Sequence, residues 1–142
     1  MRPSQLISIN LRQINHLYKK MLAKELMEHD LDQHFEVLWM LAAQKQPVTQ
    51  NKLAELLQID KSRVVHVVFD LEKRKLVEVG LNPSDRREHY VSLSPAARRS
   101  MAYIDQSIEK INSVAREGIP EDKLDTFFEV SEQIQQNLKR CI

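Results

Sequence analysis

From Ser4 onward, apolar side chains return at alternating steps of four and three: Ile7, Leu11, Ile14, Tyr18 and Met21. One face of an α-helix repeats at that interval, so the spacing predicts a helix from about Ser4 to Glu28. Leu6, Leu17, Leu22 and Leu26 widen the stripe on both flanks. A stripe this broad on a terminal helix implies more than one neighbour, in the rest of the chain or in a second subunit. Asp32 then reads as an N-cap, and the helix after it carries Phe35, Leu38, Trp39, Leu41 and Ala42 and must stop before Pro47.

Thr49 is the next candidate cap, opening a short helix with Leu53, Ala54, Leu56 and Leu57. Asp60 caps a fourth, expected from Lys61 to about Lys75. The run Val64-Val65-His66-Val67-Val68 has the β-branched density of a strand. The Asp60 cap, the spacing Val64, Val68, Leu71 and the charged run Asp70 to Arg74 all favour helix. Leu76–Leu81 and His89–Leu93 are short β-prone runs on either side of Asn82-Pro83-Ser84-Asp85-Arg86-Arg87-Glu88. They predict a β-hairpin with an extended, charged tip.

Ser94-Pro95 is a cap with proline at the first helical position. The helix it opens carries Met101, Ile104, Ile108, Ile111 and Ala115, a seam of heptad type and two heptads long. Such a seam serves a core or a dimer interface more often than a ligand. Gly118 ends that helix. Pro120 opens the last one, with Leu124, Phe127, Phe128, Ile134 and Leu138 on its apolar side. The expected fold is mainly α with a small β-hairpin.

Composition narrows the function by exclusion. The chain has 142 residues, with 21 Lys plus Arg against 20 Asp plus Glu, for a formal charge of +1. That balance excludes a non-specific basic binder. Residues 49–93 alone hold eight cations and seven anions, so no segment is strongly basic. The two glycines, Gly80 and Gly118, leave no room for phosphate loops or dinucleotide fingerprints. The single cysteine, Cys141, excludes an intrachain disulfide and fits a reducing compartment. No apolar run reaches the length of a membrane span or forms a secretory signal, so a cytoplasmic protein is expected.

Helix, short helix, capped helix and hairpin with a charged tip is the order of a winged helix-turn-helix. In that arrangement the second helix of the pair can enter the DNA major groove, where each base pair has its own donor and acceptor pattern. The stretch Thr49-Gln50-Asn51-Lys52-Leu53-Ala54-Glu55-Leu56-Leu57-Gln58-Ile59-Asp60-Lys61-Ser62 resembles the helix-turn-helix of MarR-type bacterial transcription regulators. Asp70 to Val77, Ser84-Asp85-Arg86-Arg87 and Val91-Ser92-Leu93-Ser94 are similar to that family's wing and its entry to the fifth helix. The wing and the last two helices around Gly118-Ile119-Pro120 look most like the SlyA-like branch.

The resemblance covers nearly the whole chain and implies one MarR-type domain over 1–142. Residues 32–93 would form the winged helix-turn-helix, with 1–31 and 94–142 as a helical dimerisation region. It implies a homodimer interlocked through residues such as Ile7, Leu11, Ile14, Phe127, Ile134 and Leu138. It also implies a repressor that reads a pseudo-palindromic operator on double-stranded DNA in the bacterial nucleoid. A small phenolic or aromatic carboxylate is the implied effector, bound in a cleft whose lining the sequence does not name. No cofactor is implied. Carried over residue by residue, Lys61, Ser62, Arg63, His66 and Val67 would contact bases and phosphates from the fourth helix. Gln50 and Asn51 would meet a phosphate at the start of the third. Arg87 would enter the minor groove with Arg86 on the backbone, and Asp85 would hold an arginine in place. The family often has arginine where His66 stands, and glycine where Lys75 and Ala97 stand; Lys75 implies a different route into the wing.

Plainer readings compete at several of these positions. Two arginines on a turn are, out of context, a solvated tip. Val64, Val65, Val67 and Val68 are first of all packing residues. His29-Asp30-Leu31-Asp32-Gln33-His34 gathers possible metal ligands, but it spans an expected helix–helix loop and lacks metal-site spacing; no metal is expected. Cys141 reads as a bystander at a frayed end. No nucleophile–base or paired-carboxylate arrangement supports an enzyme. The rival function is a winged-helix dimer that serves as a protein-interaction module without specific DNA binding.

Overall fold

The computed structural model describes residues 1–27 and 34–142. A 3₁₀ turn at Pro3–Gln5 leads into α1 (Ile7–Leu26), followed by α2 (Phe35–Ala43), β1 (Val48–Thr49), α3 (Gln50–Leu57) and α4 (Lys61–Lys73). Then come β2 (Val77–Asn82), β3 (Asp85–Leu93), α5 (Pro95–Arg116) and α6 (Glu121–Arg140). Asp32 and the residues His29 to Gln33 lie outside the described part, and with them the expected second-helix cap. The chain divides into two compact units, Met1–Ile108 and Glu109–Ile142.

In the first unit, burial follows helical rather than strand spacing along α4. Val64, Val67, Val68 and Leu71 are buried and Val65 is 43% exposed, so the β-rich run folds as the helix that its flanks predict. Val65 itself lies outside the core, because a helix turns it away from its valine neighbours. Val37, Leu38 and Leu41 of α2, Leu53 of α3 and Val77, Val91 and Leu93 of the sheet are buried as well, and α4 packs on α3 and β2.

The helix-turn-helix is held by backbone chemistry. Thr49 Oγ1 accepts the Lys52 N–H at 3.1 Å and so caps α3 as expected. Asp60 sits at the N-cap of α4, but its side chain makes no cap bond; its carbonyl accepts the Val64 N–H at 3.1 Å. Helix α3 stops because Gln58 turns left-handed (φ 54°) and Ile59 N–H returns to Ala54 O at 3.2 Å. Lys75 (φ 61°) stops α4 in the same way, with Leu76 N–H on Leu71 O at 2.9 Å. Lys75 therefore takes the left-handed turn that a glycine would take.

Three strands form the sheet, in the order β1-β3-β2, all antiparallel. The two-residue β1 was not foreseen; it pairs Val48 with Val91 and Thr49 with Tyr90. The hairpin tip is also tighter than expected. Only Pro83 and Ser84 lie between the strands, and Asp85 to Glu88 belong to β3. Asn82, buried beside a bulge in the ladder, accepts the Ser84 N–H on Oδ1 at 2.9 Å, and this local bond closes the turn. Ser94 then joins sheet to α5. Its Oγ accepts the Ala97 N–H at 3.1 Å and donates to Lys75 O at 2.9 Å.

Helix α1 inverts the expected emphasis. Leu22 and Leu26 on its flank are buried, whereas Ile7, Leu11 and Ile14 of the main stripe are 54%, 54% and 55% exposed. Only the C-terminal half is packed, and Tyr103 of α5 donates to Glu25 O at 2.7 Å there.

The second unit holds the end of α5 and all of α6. Gly118 (φ 76°) makes the turn, Arg116 grips both carboxylate oxygens of Glu121 at 2.9 Å, and Pro120 O accepts the Lys123 and Leu124 N–H groups. Ile111 and Leu124 are buried, while Phe127, Phe128, Val130 and Leu138 are exposed.

Candidate nucleic-acid interface

Because its buried side chains all lie on one side, α4 presents an outward face. Lys61, Ser62, Arg63 and His66 are exposed there. Val67 is not among them. It is 5% exposed and packs in the core, one residue past His66 and about 100° round the helix, so its assignment as a DNA contact is withdrawn. Arg63 stands on the flank of the helix, not its crest. It borders a cleft of about 560 Å³ together with Asn15 and Lys19 of α1, His34, Phe35 and Glu36, and Leu57, Ile59 and Val67.

One acid beside this face is tied back. Asp70 Oδ2 lies 3.3 Å from His34 Nε2 and 3.8 Å from Arg74 Nη1, which draws its charge toward α2 and along α4. Glu36, on the cleft wall, acts on Tyr18 of α1. Burial raises the phenol's pKa above its ordinary value, and the Glu36 carboxylate adds to the rise.

The wing carries Arg86 and Arg87, both exposed on β3. Asp85 holds Arg87 by its backbone: Oδ1 accepts the Arg87 N–H at 2.9 Å. That fixes where the arginine's side chain begins and leaves its guanidinium uncommitted to Asp85. Two further residues do positioning that the sequence did not announce. Glu88 Oε2 accepts from Asn82 Nδ2 at 3.1 Å, and Oε1 lies 3.5 Å from Asn51 Nδ2 on α3. Glu88 therefore links the wing base to the N-terminus of the helix-turn-helix. No sequence signal marks Glu88, because the link depends on the β2–β3 register. Gln50, expected beside Asn51 as a phosphate donor, is half-buried at the same helix start.

One more outward residue was overlooked. Phe69 of α4 is 64% exposed. It lies three residues past His66, on the side away from Val64, Val68 and Leu71, so the helical spacing alone could have found it.

Among the described residues, no three His, Cys, Asp or Glu side chains gather as an ion site, and no helix is long and apolar enough to cross a membrane. Cys141 is exposed.

This geometry has close counterparts. The MarR family model matches residues 31–88. The uncharacterized HTH-type transcriptional regulator YdcH of Bacillus subtilis (strain 168) is 32% identical over 100 residues, which cover 67% of each chain. The chain belongs to the MarR family. The putative transcriptional regulatory protein for the hcr operon of Thauera aromatica is 31% identical over 61 residues. That match spans 43% of this chain and only 37% of the Thauera protein. Among solved structures, PcaV of Streptomyces coelicolor, in complex with its natural ligand, superposes with a TM-score of 0.86 at 19% identity, covering 96% of each chain. MepR of S. aureus in complex with DNA superposes with a TM-score of 0.78 at 22% identity, covering 95% of each chain. These two establish the winged-helix fold of the MarR chain.

Proposed function

We propose that this MarR-family chain is a cytoplasmic, homodimeric transcriptional regulator of the SlyA-like branch that represses from a pseudo-palindromic operator. The observation that carries this reading is the exposure of Lys61, Ser62, Arg63 and His66 on one helix together with Arg86 and Arg87 on the wing. A helix with polar and cationic side chains outward can lie in the major groove, while wing cations reach the flanking backbone or minor groove. Phosphate contacts fix the register and base contacts read the sequence. The DNA-bound state of MepR supports this use of the fold.

A second copy of the chain accounts for the apolar side chains left uncovered. Ile7, Leu11 and Ile14 of α1 and Phe127 and Leu138 of α6 are exposed, and Ile134 is half-buried. The cleft beside Arg63 suits a small aromatic acid. Phe35, Leu57 and Ile59 would cover its ring, and Lys19, Asn15 and Arg63 would meet its carboxylate. A ligand that engages Arg63 takes that guanidinium away from DNA, which would couple occupancy to release. The ligand-bound state of PcaV supports a binding role for this fold.

In vitro selection from random duplex DNA tests the reading. Wild type should enrich a two-fold symmetric site, and its affinity should fall by about 0.9 log units per log salt for each phosphate neutralised. Arg87→Ala should lower that slope by about 1 per wing engaged. No enrichment at low salt would leave the chain as a protein-interaction module.

A further inference from the structure

The outward crest of α4 is not wholly polar. Ser62, His66, Phe69 and Lys73 follow one another at steps of four, three and four, opposite the buried Val64, Val67, Val68 and Leu71. All four are exposed, and Phe69 stands in the middle of the line with 64% of its surface open. Val65, one turn earlier and 43% exposed, is its only apolar neighbour on this helix face. Lys73 lies one turn later, and the exposed Glu72 flanks the line on the Val65 side.

Phe69 with Val65 as its one apolar neighbour on the helix, between a histidine and a lysine, is too narrow an apolar feature for a protein–protein patch. In a major groove it is well matched. The base edges there offer polar donors and acceptors, and their one apolar group is the thymine C5-methyl. Phe69 lies about 12 Å along α4 from Lys61, at a rise of 1.5 Å per residue. That is within the length of helix that a major groove accommodates.

On the reading of α4 as the recognition helix, we propose that Phe69 is a specificity-determining residue. Its ring would pack on a thymine methyl group, and the protein would prefer a thymine at one position of each half-site. Lys61 and Arg63 at the start of the helix set the register, so the methyl is met at a fixed distance from their phosphates. The ring carries no polar atom, so this contact discriminates against cytosine, which lacks the methyl, without any hydrogen bond.

The test replaces thymines of the selected operator one at a time by deoxyuridine, which removes only the methyl group. Wild type should lose about fourfold in affinity at one position per half-site, the value of one methyl-sized apolar contact, and about fifteenfold when both half-sites are changed. Phe69→Ala should bind the thymine and deoxyuridine operators equally. Phe69→Leu, which keeps an apolar side chain, should retain a methyl preference. Thermal melting of both variants should match wild type, since Phe69 is outside the core. Two results would overturn the inference while leaving DNA binding intact: no methyl-sensitive position in wild type, or a sensitivity that persists in Phe69→Ala. A change in sedimentation of Phe69→Ala would also overturn it, by placing the ring in an interface between copies. If wild type selects no DNA at all, the regulator reading fails first and this inference fails with it.

Discussion

Helices α4 and α6 carry six large apolar residues each and reach opposite outcomes. In α4, Val64, Val67, Val68 and Leu71 are buried within the chain, on the side where α4 packs on α3 and β2, and polar side chains dominate the outer face. In α6 only Leu124 is buried, and Phe127, Phe128, Val130 and Leu138 are open. Even the edge-to-face pair of Phe127 and Phe128, with centroids 5.4 Å apart, is solvent-facing on both rings. Periodicity tells that a helix has an apolar side, but not which molecule covers it. Helix α1 shows both outcomes within one element, with Leu22 and Leu26 covered and Ile7, Leu11 and Ile14 uncovered.

The comparison breaks most directly on paired truncations. Leu71→Ala removes a fully buried side chain and should destabilise by about 2–5 kcal/mol in urea unfolding, through lost transfer energy and a residual cavity. Leu138→Ala, at an exposed site, should cost the isolated chain less than about 0.5 kcal/mol. Equal costs would mean that α6 is covered as fully as α4.

Charge insertion sharpens the same contrast. Leu11→Glu and Leu138→Glu should keep the far-ultraviolet dichroism of wild type. If a second copy covers these positions, the dimer should weaken by about tenfold or more, because the carboxylate is desolvated without a partner. Sedimentation velocity over a concentration series reads this. Unchanged association in both variants would place the dimer interface elsewhere.

The two regions also differ in how far they could be read from residues alone. In the winged unit, the Thr49 cap, the Ser94-Pro95 cap and the helical state of Val64 to Val68 were legible, because each depends on neighbours within a turn or two. Strand β1 was not. Val48 and Thr49 are a strand only because Val91 and Tyr90 lie beside them. The link from Glu88 to Asn51 is hidden for the same reason: it joins residues 37 apart in the chain. Of the candidate interface residues, Lys61, Arg63, Arg86 and Arg87 are exposed where the family resemblance implies contacts. The burial of Val67 needed the helix to be seen against its core, whereas the outward placement of Phe69 follows from helical spacing.

The bond from Asn82 to Glu88 yields a smaller, local effect. Asn82→Ala removes the acceptor of Ser84 N–H and the donor to Glu88. It should cost about 1–2 kcal/mol and speed amide hydrogen exchange across β2 and β3, leaving α6 unchanged. Faster exchange in α6 would show that the wing and the last helix do not respond separately.

The smallest expected change sets the ends of the two helical regions side by side. Both regions turn through the left-handed conformation, at Lys75 after α4 and at Gly118 before α6. A residue with a Cβ pays about 1–2 kcal/mol there, and glycine does not. Lys75→Gly relieves that strain but gives the unfolded chain more freedom, so a net gain of about 0.5–1 kcal/mol is expected. The bonds that define the turn, Leu76 N–H to Leu71 O and the Ser94 hydroxyl to Lys75 O, need no lysine side chain. Gly118→Ala should do the reverse and destabilise by about 1 kcal/mol. A Cβ at Gly118 would meet nothing within 4 Å, so the loss would be conformational and not steric. Thermal unfolding of the two variants measures both signs. If Lys75→Gly destabilises instead, the lysine side chain must be contributing a stabilising contact that outweighs its own strain.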